Sequence, residues 1–278
     1  MDQVFIKAIP VIKKLKHAGH EAYFVGGSVR DFLLGRSIGD IDIATSATPN
    51  EIIQLFQKTV DVGKEHGTII VVTDDESYEV TTFRSEGTYT DNRRPDEVTF
   101  IKSLREDLKR RDFTINAMAM TESGDIIDYF NGKEHLQEKI IQTVGNPQER
   151  FSEDALRMLR AARFSSQLSF SIHPTTISAM KEYSRKLHLI SVERKTIEFE
   201  KLFKGNNVSN AINVLKETNV FSALPGLEKN ANELIELSLL VDGAKLQSRS
   251  QLWAAICIFV HVEQHDSFLQ KWKLPNKI

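Results

Sequence analysis

Gly26-Gly27-Ser28-Val29-Arg30-Asp31, followed by Gly39-Asp40-Ile41-Asp42-Ile43, is the stretch that decides the fold. Ala22 to Val25 before it is β-branched and aromatic, as a strand requires, and Ser28 to Leu34 reads as a short helix. A second strand is predicted over Ile38 to Ile43. Residues i and i+2 of a strand share a face, so Asp40 and Asp42 should project together while Ile41 and Ile43 turn to the core. Two carboxylates aimed at one point repel each other unless a cation lies between them. Mg²⁺ is typically held by one or two carboxylates plus substrate phosphates. The glycine turn would offer those phosphates backbone N–H groups at a helix start. The implied chemistry is metal-assisted nucleotidyl transfer, with Asp40 and Asp42 as the catalytic and metal-binding residues. Either half alone has a plain reading, a turn or a solvated edge; their succession is what is specific.

Outward from this stretch the chain changes character. Val4 to His17 is amphipathic and helical, and Gly19 should stop that helix. Further strands are predicted over Thr68 to Thr73 and Tyr78 to Phe83. A helix from Pro49 to about Lys58 has Thr48 as N-cap. Arg84 to Glu97, with Gly87, Asn92 and Pro95, lacks periodicity and reads as a long mobile loop. After Asn146-Pro147 the strand signals fade. Pro147 to Phe164, Pro174 to Leu187, Val192 to Phe203, Val208 to Thr218, Glu233 to Leu240 and Gln247 to His261 all read as helices. The expected class is α+β: a mixed head over 1–146, a helical neck over 147–205 and a helical body over 206–278.

The 278 residues carry a net charge of −2, so nucleic-acid binding would rest on local basic surfaces rather than on overall charge. The single cysteine, Cys257, excludes an intrachain disulfide and fits a reducing compartment. Leu252 to Val260 is too short to cross a membrane, and the N-terminus has no signal-peptide pattern. The expected location is the cytoplasm, with no membrane and no evident protein partner.

Two further segments carry charge in a pattern. Lys109-Arg110-Arg111-Asp112-Phe113-Thr114-Ile115-Asn116-Ala117 reads plainly as a basic helix end placed against its own dipole. Glu153-Asp154-Ala155-Leu156-Arg157-Met158-Leu159-Arg160-Ala161-Ala162-Arg163-Phe164 reads plainly as an amphipathic helix, with Ser152 as N-cap and Glu153–Arg157 as an i,i+4 ion pair. Glu79, on the strand at Tyr78 to Phe83, is a third carboxylate near the metals, the base that accepts the attacking hydroxyl's proton, or a solvated strand residue. His261 and His265 stand at i,i+4, a metal-compatible spacing, but lack the Glu of the zinc-protease pattern; His265-Asp266 has no accompanying histidine array.

The order of strand, Gly-Gly turn, short helix and acidic strand resembles the nucleotidyltransferase head of the DNA polymerase β superfamily. Arg30-Asp31 after Gly-Gly-Ser-Val, the Arg-Arg-Asp-Phe-Thr-x-Asn-Ala stretch at 110–117 and the Glu-Asp-x-x-Arg pattern at 153–157 are similar to the class II tRNA nucleotidyltransferase and bacterial poly(A) polymerase family. Asp128-Tyr129-Phe130-Asn131-Gly132 resembles the family's next motif, and its turn chemistry is expected to be its role. The resemblance implies addition of C, C and A to tRNA 3′ ends from CTP and ATP, with two Mg²⁺ and release of pyrophosphate. It implies nucleotide-binding roles for Gly27, Arg30, Arg111, Asp154, Arg157, Arg160 and Arg163. Asp112 and Asn116 would touch the nucleotide or brace the head against the body.

Residue chemistry supports the base-selecting role. Cytosine and adenine present an amino donor beside a ring-nitrogen acceptor; uracil and guanine present the reverse. Aspartate only accepts and arginine only donates. Asp154 and Arg157 would therefore take C and A and leave U and G with clashing groups. On one helix Asp154 and Arg163 fall about half a turn apart, so Arg160 and Arg163 are assigned to the sugar–phosphate or to holding the helix. Poly(A) polymerase, a CC-adding enzyme and a catalytically silent RNA-binding module are the alternatives. CC-adding enzymes of this family typically lack the loop found here as Arg84 to Arg94. Family members also continue into a helical tail that grips tRNA, and this sequence is expected to stop before it.

Overall fold

The computed structural model describes residues 1–87, 98–243, 246 and 248–275. They divide after Glu138 into two compact units.

The first unit is built on a seven-stranded sheet. Helix α1 (Gln3–His17) starts where the Asp2 side chain accepts from Val4 N–H at 3.0 Å, and buries Phe5, Ala8, Val11, Ile12 and Leu15. Strand β1 (Ala22–Val25) leads through the glycine turn into α2 (Gly27–Leu33) and then β2 (Asp42–Thr45). Helix α3 (Pro49–Leu55) carries a capping box between Thr48 and Glu51. Strands β3 (Thr59–Gly63), β4 (Thr68–Val72) and β5 (Ser77–Thr82) follow. A separate hairpin pairs β6 (Arg84–Glu86) with β7 (Val98–Phe100). Helix α4 (Leu104–Lys109), strands β8 (Met118–Met120) and β9 (Ile126–Asp128), and helix α5 (Gly132–Gln137) complete the unit.

The sheet order is β3-β4-β5-β2-β1-β8-β9. Only the β2–β5 pairing is parallel; the rest are antiparallel. Phe5 packs edge-on against Phe24 and Phe32, at 4.8 and 5.5 Å between centroids, and so fastens α1 to the sheet and to α2. The Asp128 carboxylate accepts from Phe130, Gly132 and Lys133 N–H groups and thereby starts α5. Asn131 takes the positive φ of this turn, at +61°. Gly132 is required for closeness instead, since a Cβ there would lie 2.5 Å from the Thr114 carbonyl.

Three expectations change. The acidic strand begins at Asp42 rather than at Ile38, because Asp40 and Ile41 lie ahead of the ladder. Strand β3 was not expected: its central Val60, Asp61 and Val62 are all exposed, so it lacks the in–out alternation of a half-buried strand. The first three residues of the expected loop, Arg84 to Glu86, are a paired strand. The remainder of that loop falls largely on 88–97, outside the described residues.

The second unit opens with β10 (Ile140–Ile141), which pairs in parallel with β11 (Ser171–Ile172). Its helices are α6 (Pro147–Glu153), α7 (Leu156–Leu168), α8 (Pro174–Tyr183), α9 (Val192–Leu202), α10 (Val208–Glu217), α11 (Ala231–Gly243), α12 (Arg249–Phe259) and α13 (His265–Lys271). Phe199, Trp253, Phe268 and Trp272 form its aromatic centre, with Trp253 and Trp272 4.9 Å apart. The helix expected over Pro147 to Phe164 is two helices, broken at Asp154 and Ala155. Ser152 therefore lies inside α6 instead of capping a helix. His261, at φ +52°, falls after α12, and His265 opens α13, so the two do not share a helix face. No helix among the described residues is long and apolar enough to cross a membrane.

Candidate active site

Strand register brings the first cluster together. Val25 of β1 pairs with Asp42 of β2, and Asp42 pairs with Glu79 of β5. Ile41 and Ile43 are buried, as strand alternation requires, while Asp42 is half-buried and Asp40 and Glu79 are exposed. Burial pushes the Asp42 carboxyl up to about 6; the Arg111 charge opposes this, and the Glu79 and Asp40 charges add to it. Glu79 is thus the cross-strand neighbour of Asp42 and a third negative charge on the site.

Gly26 makes the approach possible. It sits at φ +75°, and a Cβ there would lie 3.1 Å from Arg111 Nη1 and 3.4 Å from Asp42 Oδ2. Any side chain would be strained and would press on both groups. Ser28 Oγ donates to the Val25 carbonyl at 3.0 Å and ties the turn to β1. Gly27 is the first residue of α2, where the opening N–H groups lack helical acceptors.

The arginines differ in what holds them. Arg30 forks onto Asp31, at 3.0 and 2.9 Å, and donates to Asn116 Oδ1 at 2.6 Å. It is buried and joins α2 to the Thr114–Asn116 turn. Asn116 in turn donates to Asp112 at 3.1 Å. Arg111 is anchored by Asp107, 3.4 Å away, and its Nε is buried with no hydrogen-bond partner among the described residues. Asp107 also takes Arg110 and the Arg84 N–H. Burial pushes the Asp107 carboxyl up, but these cations and hydrogen bonds outweigh it and hold it below the ordinary range. Asp107 was missed in the sequence, although its i+3 and i+4 spacing to Arg110 and Arg111 was a legible signal.

The second cluster lies in the other unit. Asp154 is the C-cap of α6, with extended backbone at φ −143° and ψ 101°. The geometry expected from a continuous helix, with Asp154 and Arg157 along one drifting stripe, therefore does not apply. Arg194 of α9 forks onto Asp154 at 2.7 and 3.2 Å. Arg157 donates to the Arg150 carbonyl at 3.1 Å and pairs with Glu153, so the i,i+4 ion pair forms across the helix break. Glu198 of α9 receives Arg163 at 2.8 Å and Arg160 at 3.6 Å. Both arginines thus pair α7 with α9. Arg194 and Glu198 were not singled out, because their partners lie about 40 positions earlier.

The donor set suits a hard divalent cation. Asp40, Asp42 and Glu79 supply only carboxylate oxygens, and a cation there would offset the Glu79 and Asp40 charges that add to the effect of burial on Asp42. Among the described residues no three His, Cys, Asp or Glu side chains converge into a ready-made metal cage. That matches Mg²⁺ practice, in which one or two carboxylates act together with substrate phosphates.

A head that sets a carboxylate strand beside a glycine turn and an anchored arginine is that of a nucleotidyltransferase. Residues 22–142 match the family model described as the poly A polymerase head domain, and 169–230 match a probable RNA- and SrmB-binding site of polymerase A. The CCA-adding enzyme of Bacillus subtilis (strain 168) is 55% identical over all of this chain and 70% of its own length. The crystal structure of the Bacillus stearothermophilus CCA-adding enzyme with CTP superposes with a TM-score of 0.90 at 47% identity, covering 100% of this chain and 68% of that one. A tRNA nucleotidyltransferase complexed with a primer tRNA and an incoming ATP analog matches at a TM-score of 0.75 and 26% identity, over 96% of this chain and 80% of that one. The chain belongs to the CCA-adding enzyme family, and that family implies divalent-metal use.

Proposed function

We propose that this chain adds C, C and A to the 3′ end of tRNA from CTP and ATP. The tRNA 3′-hydroxyl gives its proton to solvent as its oxygen bonds to the α-phosphorus, the bond from that phosphorus to the bridging oxygen breaks, and pyrophosphate leaves. The observation that carries this reading is the convergence of Asp42, Glu79, Gly26 and Arg111 through strand register and a tight turn.

Asp40 and Asp42 would hold two Mg²⁺. When bound, such ions activate the hydroxyl and stabilise charge at the phosphorus. Arg111 offsets the triphosphate charge, and the phosphates reach the N–H groups of Gly27 and the first turn of α2. The buried Arg111 Nε gains a partner when the phosphates arrive. Arg30 keeps α2 aligned through Asn116 and lies close behind Gly27. In the neck, 147–205, Asp154 accepts the amino group of C or A and Arg157 donates to the ring nitrogen. Arg160 and Arg163 hold the selecting helix in place beside the nucleotide. A tRNA substrate supports a cytoplasmic location.

The test is incubation of tRNA lacking its 3′ end with each nucleotide, read by product length. Products ending at CCA support the reading. A long A ladder, a stop at CC, or no extension would each replace it with a poly(A) polymerase, a CC-adding enzyme or a silent RNA-binding module.

A further inference from the structure

Arg111 stands between two carboxylates. On one side is Asp107, whose Oδ2 lies 3.4 Å from Arg111 Nη2. On the other is Asp42: Arg111 Nη1 and Asp42 Oδ2 lie 3.1 and 3.4 Å from the point where a Cβ on Gly26 would sit. The Arg111 charge reaches Asp42, where it opposes the effect of burial. Among the described residues, however, the ion pair of Arg111 runs to Asp107 and not to Asp42.

The two oxygens of Asp107 have different partners. Oδ1 accepts from Arg110 Nε at 3.0 Å and from the Arg84 N–H at 3.3 Å, and lies 2.9 Å from Arg110 Nη2. Oδ2 faces Arg111. The side chain is wholly buried, so donors from the end of α4 and from β6 pin one oxygen and leave the other aimed at Arg111. We propose that Asp107 is a positioning residue for the triphosphate. Its Oδ2 holds the Arg111 guanidinium off Asp42, so that the buried Arg111 Nε stays open for a phosphate oxygen. This inference rests on Arg111 contacting the triphosphate.

The physical need follows from the charges at the site, where Asp40 and Glu79 add to that of Asp42. An arginine side chain is rich in rotamers, and its planar fork fits a carboxylate as well as a phosphate. Without a fixed counter-charge behind it, Arg111 would swing onto Asp42 and bind there in place of the phosphate. An asparagine at 107 keeps the size of the side chain. With its carbonyl on Arg110 and Arg84, it would turn an NH₂ donor toward Arg111 and lose the hold.

The experiment measures binding of CTP and of cytidine in EDTA by equilibrium dialysis. The proteins are the parent, Asp107→Asn, Arg111→Gln, Asp42→Asn, and Asp107→Asn combined with each of the other two. Asp107→Asn should weaken CTP binding about tenfold and leave cytidine unchanged, since cytidine carries no phosphate. Added to Arg111→Gln it should weaken CTP no further, because nothing is left to position. In the Asp42→Asn background its effect should shrink, because the competing carboxylate has gone. Should Asp107→Asn fail to fold, Asp107→Glu, which keeps the charge but shifts it by a methylene, carries the same comparisons. Unchanged CTP binding in Asp107→Asn beside a weakened Arg111→Gln overturns the positioning role alone. Equal weakening of CTP and cytidine, a further loss in the Arg111→Gln double variant, or an effect undiminished by Asp42→Asn does the same. Unaltered CTP binding in Arg111→Gln overturns phosphate contact itself.

Discussion

Asp42→Asn should make the metal-free chain more stable at neutral pH while abolishing nucleotide addition. Burial, opposed by Arg111 and reinforced by Glu79 and Asp40, pushes this carboxyl from an ordinary 3.8 up to about 6. At 1.36 kcal/mol per pH unit, a gap of about two units is worth about 3 kcal/mol. Allowing for the site's partial opening to solvent, about 1–3 kcal/mol is expected. The sign follows from proton linkage. The folded chain binds this proton more tightly than the unfolded chain, so the cost is absent below 3.8, grows between 3.8 and about 6, and is complete above that. Asparagine removes the charge at nearly the same size and so removes the cost. Urea unfolding in EDTA at pH 7.5 and at pH 4 measures it. The variant should exceed the parent at pH 7.5, and the gap should shrink sharply at pH 4. Mg²⁺ should then stabilise the parent by mass action and leave Asp42→Asn unmoved. A variant less stable than the parent at pH 7.5, or a gap equal at both pH values, refutes the reasoning.

Gly26→Ala should cost about 1–3 kcal/mol for a backbone at φ 75° and ψ −138° that essentially only glycine adopts and displace the Arg111 guanidinium, 3.1 Å from the added carbon; unfolding and the KM for CTP should both register the change, and an unaltered KM would separate Arg111 from phosphate binding. Asp107→Ala leaves Arg110 and Arg111 without their buried counter-charge and should cost about 3 kcal/mol. Because the folded-state pKa of Asp107 lies below its ordinary value, its stabilisation is present above about 3.8 and lost as pH falls through the folded value; the variant should therefore converge with the parent in acid, as read by urea unfolding down to pH 2.

Much of the head was legible because its signals are local. Thr48 and Glu51 close a capping box within four residues, and the Gly26 turn follows from a glycine pair between a strand and a helix. Glu79 could not be placed from its own strand, since alternation there fits solvent or site equally; only its pairing sets it beside Asp42. Asp154 shows the opposite failure. The pattern from 147 to 164 satisfies helix periodicity throughout, yet the Asp154 carboxylate captures the Leu156 N–H and competes with the helix ladder.

By itself the sequence determined the chemistry on offer: which residues are acidic, basic or glycine, and where most strands and helices fall. Those properties reside in single residues and their near neighbours. Only the tertiary structure decided which charges face one another. It set Glu79 beside Asp42, hung Arg111 from Asp107, and locked Asp154 to an arginine 40 positions away. Coulomb energies and hydrogen bonds depend on distance in space, and folding alone converts remote positions into neighbours.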